Sequence, residues 1–290
     1  MFKITSELKS QILTESDLIP VWNSDEKSIQ FKLPTELAVG DTQLYKIRNR
    51  DWIELDDDFW TTTVETQTNE TIHSDLPFIF VVALCLSSAK IISSVDENSP
   101  VYQLENDFWV INSFSKALYN LGIGCTINNH GNQIADILFS LDENNKKAIV
   151  EVLREAIHDR KLHSALELLP PNKIELLINW LLAGCTKIET NFEYRAIVVN
   201  NNERIAACIQ EQLIKCGVGS KVKWIEHEFE RFSTPEKYLA ICIPYCKESS
   251  FLFEGGYNKS VEKWWIEVQH EGDEYLGAVI ESIEAVESTN

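Results

Sequence analysis

Cysteine and histidine bind transition metals readily, and two places in the sequence bring such residues close together. Cys242 and Cys246 have a C-x3-C spacing, but no matching second pair completes a four-ligand zinc site. His158 and Asp159 form a His-Asp pair, and His163 lies five residues beyond His158. On a helix the two histidines face different sides. These patterns favour free thiols and a solvated helix face over a metal centre.

Three carboxylates alternate along a predicted strand, at Glu226, Glu228 and Glu230, so they share one face of it. Such a row binds a cation or forms a solvated edge, and we favour the solvated edge. The sequence contains no glycine-rich phosphate loop, no G-x-S-x-G motif and no H-E-x-x-H motif. The usual signatures of nucleotide-binding proteins, serine hydrolases and zinc proteases are therefore missing.

The charge of the chain is unevenly distributed. The 290 residues carry a net charge of −19, and residues 1–75, 76–225 and 226–290 contribute −8, −2 and −9. An acidic surface repels phosphate backbones, so generic nucleic-acid binding is disfavoured unless lysines gather on one face. Seven cysteines, mostly in apolar runs, indicate a reducing compartment. The first ten residues lack an apolar signal-peptide core, and we expect a cytoplasmic protein without a membrane span.

Four segments differ in their predicted secondary structure. Residues 1–75 read as short strands separated by turns, residues 76–172 as a first α/β module with a helical connector, residues 173–250 as a second module, and residues 251–290 as an acidic, β-rich segment that packs with residues 1–75. Asp75 followed by Leu76-Pro77 predicts the start of a helix, because aspartate caps the first turn and proline fits inside it.

The two modules repeat one another. ALYNLGIGCTI and QLIKCGVGSKV align at an offset of 95 residues, which places Gly122 on Gly217. A predicted helix over residues 107–120 precedes Gly122, and one over 203–215 precedes Gly217. Gly217 ends the second helix, where the backbone must adopt a positive φ. An apolar helix precedes each of these two helices. The distance along the chain between the two helices differs by about six residues between the modules. We therefore predict an internal duplication of an α-β-β-α module.

Small residues end both upstream helices. The second copy has Leu182-Ala183-Gly184 followed by residues 185–190, and the first has 82–89 (VALCLSSA). A duplicated α-β-β-α module with such helix ends resembles a monomeric LAGLIDADG homing endonuclease. The resemblance implies that the two motif helices pack together along a pseudo-two-fold axis, with Ala83, Ala183 and Gly184 in the contact. It also implies an acidic residue at each helix end, which binds the divalent metal that activates water.

One of the two acidic positions is lost in this alignment. Glu189 falls on the metal-binding and catalytic carboxylate of the second copy, whereas Ser88 stands there in the first. A neutral hydroxyl is a poor ligand for Mg²⁺, which prefers carboxylates. We therefore expect Mg²⁺-dependent double-strand cleavage to be impaired or lost.

The flanks resemble a splicing domain of the inteins that carry such endonucleases. Thr5 and the turn formed by Glu36-Leu37 and Gly40-Asp41 match that domain, but Leu8 replaces the histidine that assists the first splicing step. Splicing is not expected. The resemblance as a whole implies an α+β fold, in which two LAGLIDADG-like repeats are flanked by a small all-β, Hint-like unit.

Two functions fit these features. Lys215, Lys221 and Lys223 lie at the end of the second repeat's helix and on the next strand, where the resemblance implies contact with double-stranded DNA. The protein is then a DNA-binding relative of intein-borne homing endonucleases. The alternative is a domesticated, non-catalytic protein whose acidic flanks bind a basic protein partner or mimic DNA to inhibit a nuclease.

Overall fold

The computed structural model describes most of the chain. The described residues are 1–47, 61–63, 71–73, 75–94, 100–139, 147–162, 166, 169–189, 193–199, 202–227, 236–253 and 261–286. They belong to two compact units, one made of Met1–Asp51 with Lys187–Asn290 and the other of Trp52–Thr186. This division cuts across the four segments expected from the sequence, because the strands of the second module group with the flanks.

Helices and strands alternate through the middle of the chain, and strands dominate both ends. The helices are α1 (Leu76–Ser87), α2 (Phe108–Asn120), α3 (Lys147–His158), α4 (Pro171–Ala183) and α5 (Glu203–Lys215). The strands are β1 (Phe2–Ser6), β2 (Ser10–Leu13), β3 (Ile19–Asn23), β4 (Ser28–Lys32), β5 (Thr42–Lys46), β6 (Thr61–Thr63), β7 (Thr71–His73), β8 (Ala89–Ser94), β9 (Pro100–Glu105), β10 (Cys125–His130), β11 (Ile134–Phe139), β12 (Thr186–Glu189), β13 (Tyr194–Val198), β14 (Lys221–His227), β15 (Glu236–Pro244), β16 (Ile266–His270) and β17 (Asp273–Ala285). None of the described helices is long and apolar enough to span a bilayer.

Helix α1 is central to the unit Trp52–Thr186. Asp75 caps it as predicted, because its Oδ1 accepts a 3.0 Å hydrogen bond from the backbone N–H of Phe78. Every residue from Val81 to Ser87 is buried, since α2, α3 and α4 all pack around the helix. A helix enclosed on all sides needs no polar face, which explains its continuous apolar run.

The antiparallel sheet of this unit has the order β10-β11-β9-β8. Its buried side chains include Tyr102 and Leu104 on β9 and Ile137 and Phe139 on β11. The ring of Tyr102 lies edge-on to the ring of His158 in α3, with centroids 5.8 Å apart. The alternate residues of the same strands are more exposed and form the open face of the sheet.

A second sheet, of order β12-β13-β15-β14, lies in the other unit. Helix α5 packs on β14 and β15 and begins at Asn202, whose Oδ1 accepts from the backbone N–H groups of Arg204 and Ile205 at 3.0 and 3.2 Å. The helix ends before Gly217, which has φ = 76°. The predicted left-handed residue at this position is confirmed.

The two modules have the same topology. Each runs helix, two strands, helix, two strands, and the sheet orders β10-β11-β9-β8 and β14-β15-β13-β12 correspond strand by strand. Helix α2 spans 108–120 and α5 spans 203–215, so the predicted offset of 95 holds at both ends. The upstream helices obey it too, because α1 begins at Leu76 and α4 at Pro171. The different spacing expected for these helices is therefore wrong, and the duplication is regular throughout.

Strands from both ends of the chain share one sheet, of order β2-β1-β17-β5-β3-β4 with β16 also paired to β17. The 13-residue strand β17 pairs with β5 through residues 275–279 and with β1 through residues 280–285. Ile4, Ile19, Val21 and Ile280 form a buried cluster on this sheet. The two acidic flanks therefore form a joint β structure.

Candidate functional site

The C-terminal ends of α1 and α4 touch. Gly184 ends α4, and a Cβ built on it would overlap Ser88 Oγ and would lie only 2.5 Å from Ser87 Oγ. Real Cβ atoms do not approach other heavy atoms so closely, so the helix crossing in its present geometry requires glycine at position 184. Ala83 lies in the buried interior of α1, whereas Ala183 is exposed and its carbonyl accepts a 3.3 Å hydrogen bond from Asn106 Nδ2.

The two serines at the end of α1 are hydrogen-bonded within the helix. Ser87 Oγ donates to the carbonyl of Ala83 at 2.9 Å and lies 3.3 Å from Ser88 Oγ. Ser87 is only 2% exposed, so its hydroxyl is satisfied by the protein itself. These hydroxyls are packing groups at the helix crossing.

The regular offset of 95 residues changes which residues are equivalent. Ser88 at the end of α1 corresponds to Ala183 at the end of α4, not to Glu189. Glu189 is the last residue of β12, five residues after Gly184, because the chain leaves the helix at Gly184 and becomes extended. Glu189 therefore lies on a strand and not at the helix end, its side chain lies outside the described part of the structure, and its role as a metal ligand stays a prediction. Neither Ser88 nor Ala183 carries a side-chain charge.

A guanidinium group occupies the end of α1. Arg160 Nη1 donates to the carbonyls of Cys85 and Leu86 at 3.1 and 2.7 Å, and Nη2 donates to the carbonyl of Ala89. The carbonyls of Cys85 and Leu86 are among the acceptors that a helix end leaves without an intrahelical partner, whereas Ala89 begins β8. A cation there also meets the negative end of the helix dipole. Burial lowers the pKa of Arg160, but arginine stays charged at any ordinary pH.

The helix ends do not fit Mg²⁺. The side chain of Ser88 supplies only a hydroxyl, the side chain of Ala183 supplies no ligand atom, and the guanidinium of Arg160 binds carbonyls on both sides of Ser88 in the sequence. Within the described ranges, no three His, Cys, Asp or Glu side chains are grouped closely enough to hold a metal ion. A hard divalent cation needs several oxygen ligands and a negative site, and neither is present at these positions.

Two of the three predicted DNA-binding lysines share one face of β14. Lys221 Nζ lies 3.4 Å from Glu7 Oε1 and 5.4 Å from the ring centroid of Trp264. Lys223 is exposed, donates to the hydroxyl of Tyr194 at 3.3 Å and lies 4.6 Å from the centre of its ring. Tyr194 and Trp264 also contact each other edge to face, at 6.0 Å. The result is a small patch in which two cations lie over aromatic rings.

Lys215 does not join this patch. It lies in the last turn of α5, pairs with Glu211 at 3.7 Å and lines a cavity beside the flank sheet. Its location on a helix, and not on the lysine-bearing face of β14, follows from the helix that the sequence itself predicts there. The lysines that the sequence places together are thus divided between two sites.

The open face of the first sheet carries a polar cluster that the sequence analysis missed. His130 Nε2 lies 2.6 Å from Asp136 Oδ2, and Gln103 Nε2 donates to Asp136 Oδ1 at 3.2 Å. Burial opposes ionisation of Asp136, but the hydrogen bonds from His130 and Gln103 outweigh it and lower the pKa of this carboxyl. Asn128 is exposed beside His130 on the same strand face. The sequence signal for this cluster is the polar residue at every second position of β10, at 126, 128 and 130.

The other candidate ligands have ordinary partners. Burial raises the pKa of the Cys242 thiol to about 11, and Cys246 is also buried, so neither is disposed to ionise. His158 Nε2 is hydrogen-bonded to the hydroxyl of Tyr102 at 3.2 Å. Glu226 pairs with Lys237 at 3.7 Å, as a solvated edge would. His163, Glu228 and Glu230 lie outside the described residues.

The chain was compared with known proteins. No protein-family model matches it, and no curated protein does. Among solved structures, it is similar to I-DmoI in complex with DNA and Ca, at 10% identity and a TM-score of 0.39, with 60% of this chain and 86% of that chain covered. It is also similar to the homing endonuclease I-WcaI bound to its DNA recognition sequence, at 15% identity and a TM-score of 0.36, with 71% and 86% covered.

Proposed function

We propose that this protein is a DNA-binding relative of homing endonucleases in which metal-dependent cleavage has been lost. The observation that carries the proposal is the regular duplication, which brings two equivalent helix ends together and leaves both without a carboxylate. The tight crossing at Gly184 supports retention of the scaffold. Ser88 and Ala183 support loss of the reaction.

The chemistry of phosphodiester cleavage explains why these two positions matter. A metal ion activates water and stabilises the developing charge, and carboxylates must hold that metal against a polyanionic substrate. The hydroxyl of Ser88 and the methyl group of Ala183 cannot do this, and the guanidinium of Arg160 already supplies the positive charge at the end of α1. We accordingly propose no catalytic step, and no cofactor requirement.

The proposed contact with double-stranded DNA uses the face of β14 that carries Lys221 and Lys223. The two lysines share this face, and a hydrogen bond and a ring contact with Tyr194 restrain the exposed Lys223. For each phosphate that the protein neutralises, the slope of the logarithm of the binding constant against the logarithm of the salt concentration becomes more negative by about 0.9. Because the chain carries −19 overall, we expect weak binding that depends strongly on ionic strength.

A titration of labelled duplex DNA at low salt tests the proposal. Lys221→Gln and Lys223→Gln should each weaken binding and reduce the salt slope by about one phosphate contact. Lys237→Gln is the matched control, because Lys237 lies on the neighbouring strand β15 and its partner Glu226 is on the other face of β14. Absence of saturable binding at about 50 mM salt, or equal losses in all three variants, would contradict DNA binding by this face.

Cleavage is tested separately by adding Mg²⁺ or Mn²⁺ to the bound DNA. We expect no double-strand product. If product appears and Glu189→Gln abolishes it, Glu189 is a metal ligand after all, and the assignment from the helix ends is wrong. If product appears and Glu189→Gln retains it, the catalytic carboxylates lie elsewhere in the chain.

The flank sheet supports a common origin with intein-borne enzymes, again as a proposal. Leu8, at the position of the splicing histidine, is 1% exposed and packs with Trp265 and Leu276 in an apolar cluster. A buried leucine cannot polarise a peptide bond, so the flanks are proposed to be structural and not splicing-competent. Incubation of the purified chain for days should yield no shorter, spliced product.

A basic protein partner is the second candidate, favoured by the exposed carboxylates of the acidic flank. Exposed acidic residues on and beside β16 and β17 are Glu262, Glu267, Glu271, Glu274, Glu281 and Glu284. A decalysine peptide is a suitable probe for this surface. Binding of the peptide at physiological salt, together with no binding of DNA, would favour this function over the first.

A further inference from the structure

The face of β14 that carries Lys221 and Lys223 continues onto a buried part of its sheet. Four side chains of strands β13 and β15 form an apolar cluster on this side, and each is at most 4% exposed: Ala196, Val198, Ala240 and Cys242. The cluster lies directly beside the lysines, since Lys221 pairs with Cys242 and Lys223 with Ala240. A side chain on a sheet face loses contact with water only where other atoms lie over it. A further part of the protein therefore covers the centre of this face.

The corresponding face of the first sheet is open. The 95-residue offset places Thr126 on Lys221, and Thr126 pairs across the sheet with Leu138 as Lys221 pairs with Cys242. Leu138 is 37% exposed, whereas Cys242 is completely buried. Because the two sheets have the same topology, the difference comes from what lies over the second sheet and not from the sheet itself.

Residues 263–265, which we call the strap, are held at both ends. At one end, Lys263 pairs with two carboxylates, at 2.9 and 2.6 Å. At the other end, Trp265 is 6% exposed and packs with Leu8 in an apolar cluster of the flanks. A Cβ built on Gly219, two residues before β14, would overlap the ring of Trp265. The strap is therefore fixed against the start of β14.

Trp264, in the middle of the strap, lies over the lysine-bearing face. It packs against the buried cluster, and its ring lies edge to face with Tyr194 at 6.0 Å and 5.4 Å from Lys221 Nζ. Glu7, between β1 and β2, pairs with the same lysine at 3.4 Å. A phosphate that approaches Lys221 must therefore compete with a carboxylate and an aromatic ring.

We propose that the strap and Glu7 form an autoinhibitory cover on this face and restrain Lys221 from binding DNA. The inference rests on the proposed DNA binding, because it concerns the regulation of that same face. Duplex DNA gains the whole face only when its phosphates displace Glu7 from Lys221 and Trp264 leaves the centre of the sheet. The apparent dissociation constant increases in inverse proportion to the population of the open state, so removal of either contact strengthens DNA binding.

Glu7→Gln tests the electrostatic part of the cover. At low salt the variant should bind labelled duplex DNA about two- to fivefold more tightly, the range expected for release of one partly exposed ion pair. Glu15→Gln is the matched control, because it makes the same change of net charge at an exposed residue of the same flank. The gain should vanish in a Lys221→Gln background, since the lysine that Glu7 restrains is then absent.

Trp264→Ala tests the steric part of the cover, and the Cys242 thiol reports on it without DNA. Burial raises the pKa of this thiol to about 11, so uncovering it should make it both more accessible and easier to ionise. Alkylation of Cys242 by iodoacetamide, followed by peptide mass spectrometry, should be at least about tenfold faster in the variant, since protection reflects the free energy of local opening. Cys216, which is also buried in this unit but lies at the end of α5, is the internal control for general unfolding.

Trp264→Ala should also bind duplex DNA more tightly than the parent. Trp109→Ala is the matched control for loss of a tryptophan, because Trp109 is a 75% exposed residue of α2 in the other unit. Its DNA binding should equal that of the parent.

The outcomes distinguish failure of the cover from failure of the proposed function. Tighter DNA binding in Glu7→Gln and Trp264→Ala, with selectively faster alkylation of Cys242, supports both. Saturable DNA binding by the parent that neither variant strengthens overturns the cover and leaves the proposed function standing. Unchanged alkylation of Cys242 in Trp264→Ala, or equal acceleration at Cys216, shows that Trp264 does not cover the cluster. Faster alkylation of Cys242 without DNA binding by any variant shows that the face opens and that DNA is not its ligand, which overturns both.

Discussion

The contact between the ends of α1 and α4 makes a sharp prediction for Gly184→Ala. The new methyl group would overlap Ser88 Oγ, lie 2.5 Å from Ser87 Oγ and lie 3.1 Å from Ser87 Cβ. Gly184 has φ = −86°, which alanine adopts without strain, so the cost is steric and comes from the helix crossing alone. The variant therefore measures how tightly the two helix ends are packed.

The expected magnitude follows from the three neighbours. Overpacking a close contact costs about 1–3 kcal/mol, against a gain of about 0.5 kcal/mol from the reduced entropy of the unfolded chain. In a Ser87→Ala/Ser88→Ala background the two hydroxyls are gone, and the nearest remaining atom is the Cβ at 3.1 Å. The cost of Gly184→Ala should then fall below about 1 kcal/mol, which gives a measurable coupling energy in a double-mutant cycle.

Urea unfolding of the four proteins in this cycle measures the free energies, and hydrogen exchange of peptides from α1 and α4 localises the effect. The edge-to-face contact between Phe80 in α1 and Trp180 in α4, at 5.3 Å, lies along the same interface and should loosen with it. A Gly184→Ala variant as stable as the parent would refute the reasoning. So would an unchanged cost in the background without the two hydroxyls, because the strain would then arise elsewhere.

Three further predictions concern charge. Arg160→Met removes the donor from three carbonyls at the end of α1, so it should destabilise the fold by about 2–4 kcal/mol in urea unfolding, and Arg160→Lys should recover only part. Burial raises the pKa of Tyr45 to about 12 in the folded protein, whereas a tyrosine in the unfolded chain has a pKa of about 10. Ionisation therefore favours the unfolded state, and the free energy of unfolding should fall as pH rises from about 10 to 12. Tyr45→Phe should lose that part of the pH dependence in thermal unfolding curves, whereas an unchanged slope would contradict it. Neither Ser88 nor Ala183 is a carboxylate, so we expect no stabilising metal ion at the helix ends. Addition of EDTA, or of about 10 mM Mg²⁺, should therefore leave the unfolding midpoint unchanged.

The parts of the fold set by local chemistry could be predicted from the sequence. Asp75 and Gly217 mark helix ends because a carboxylate caps free N–H groups and a residue with positive φ closes the last turn. The 203–215 helix was predicted with the boundaries that the structure has. Capping and turn residues act on their immediate neighbours, and the sequence displays those neighbours directly.

Register along an apolar helix could not be predicted in the same way. Residues 82–89 can be aligned with the end of the second apolar helix in more than one register, because leucine, valine and alanine are interchangeable in a buried helix. Gly122 and Gly217 define the 95-residue offset for α2 and α5, but the apolar sequences of α1 and α4 contain no such marker. The result was a displacement of about six residues in the alignment of the upstream helices. Pairing of β17 with β1 and β5 is also non-local, and no short motif encodes it.

The register of the two modules also bears on the electrostatics of the crossing between α1 and α4. Two carboxylates side by side at the negative ends of two helix dipoles would be unfavourable unless a cation lay between them. Ser88 and Ala183 place no side-chain charge at these ends, and Gly184 permits their close crossing. Arg160 then provides a permanent positive charge where α1 ends, bonded to three carbonyls. A crossing of this kind needs no metal ion to offset repulsion between charged helix ends, which is why we expect EDTA to leave the stability unchanged.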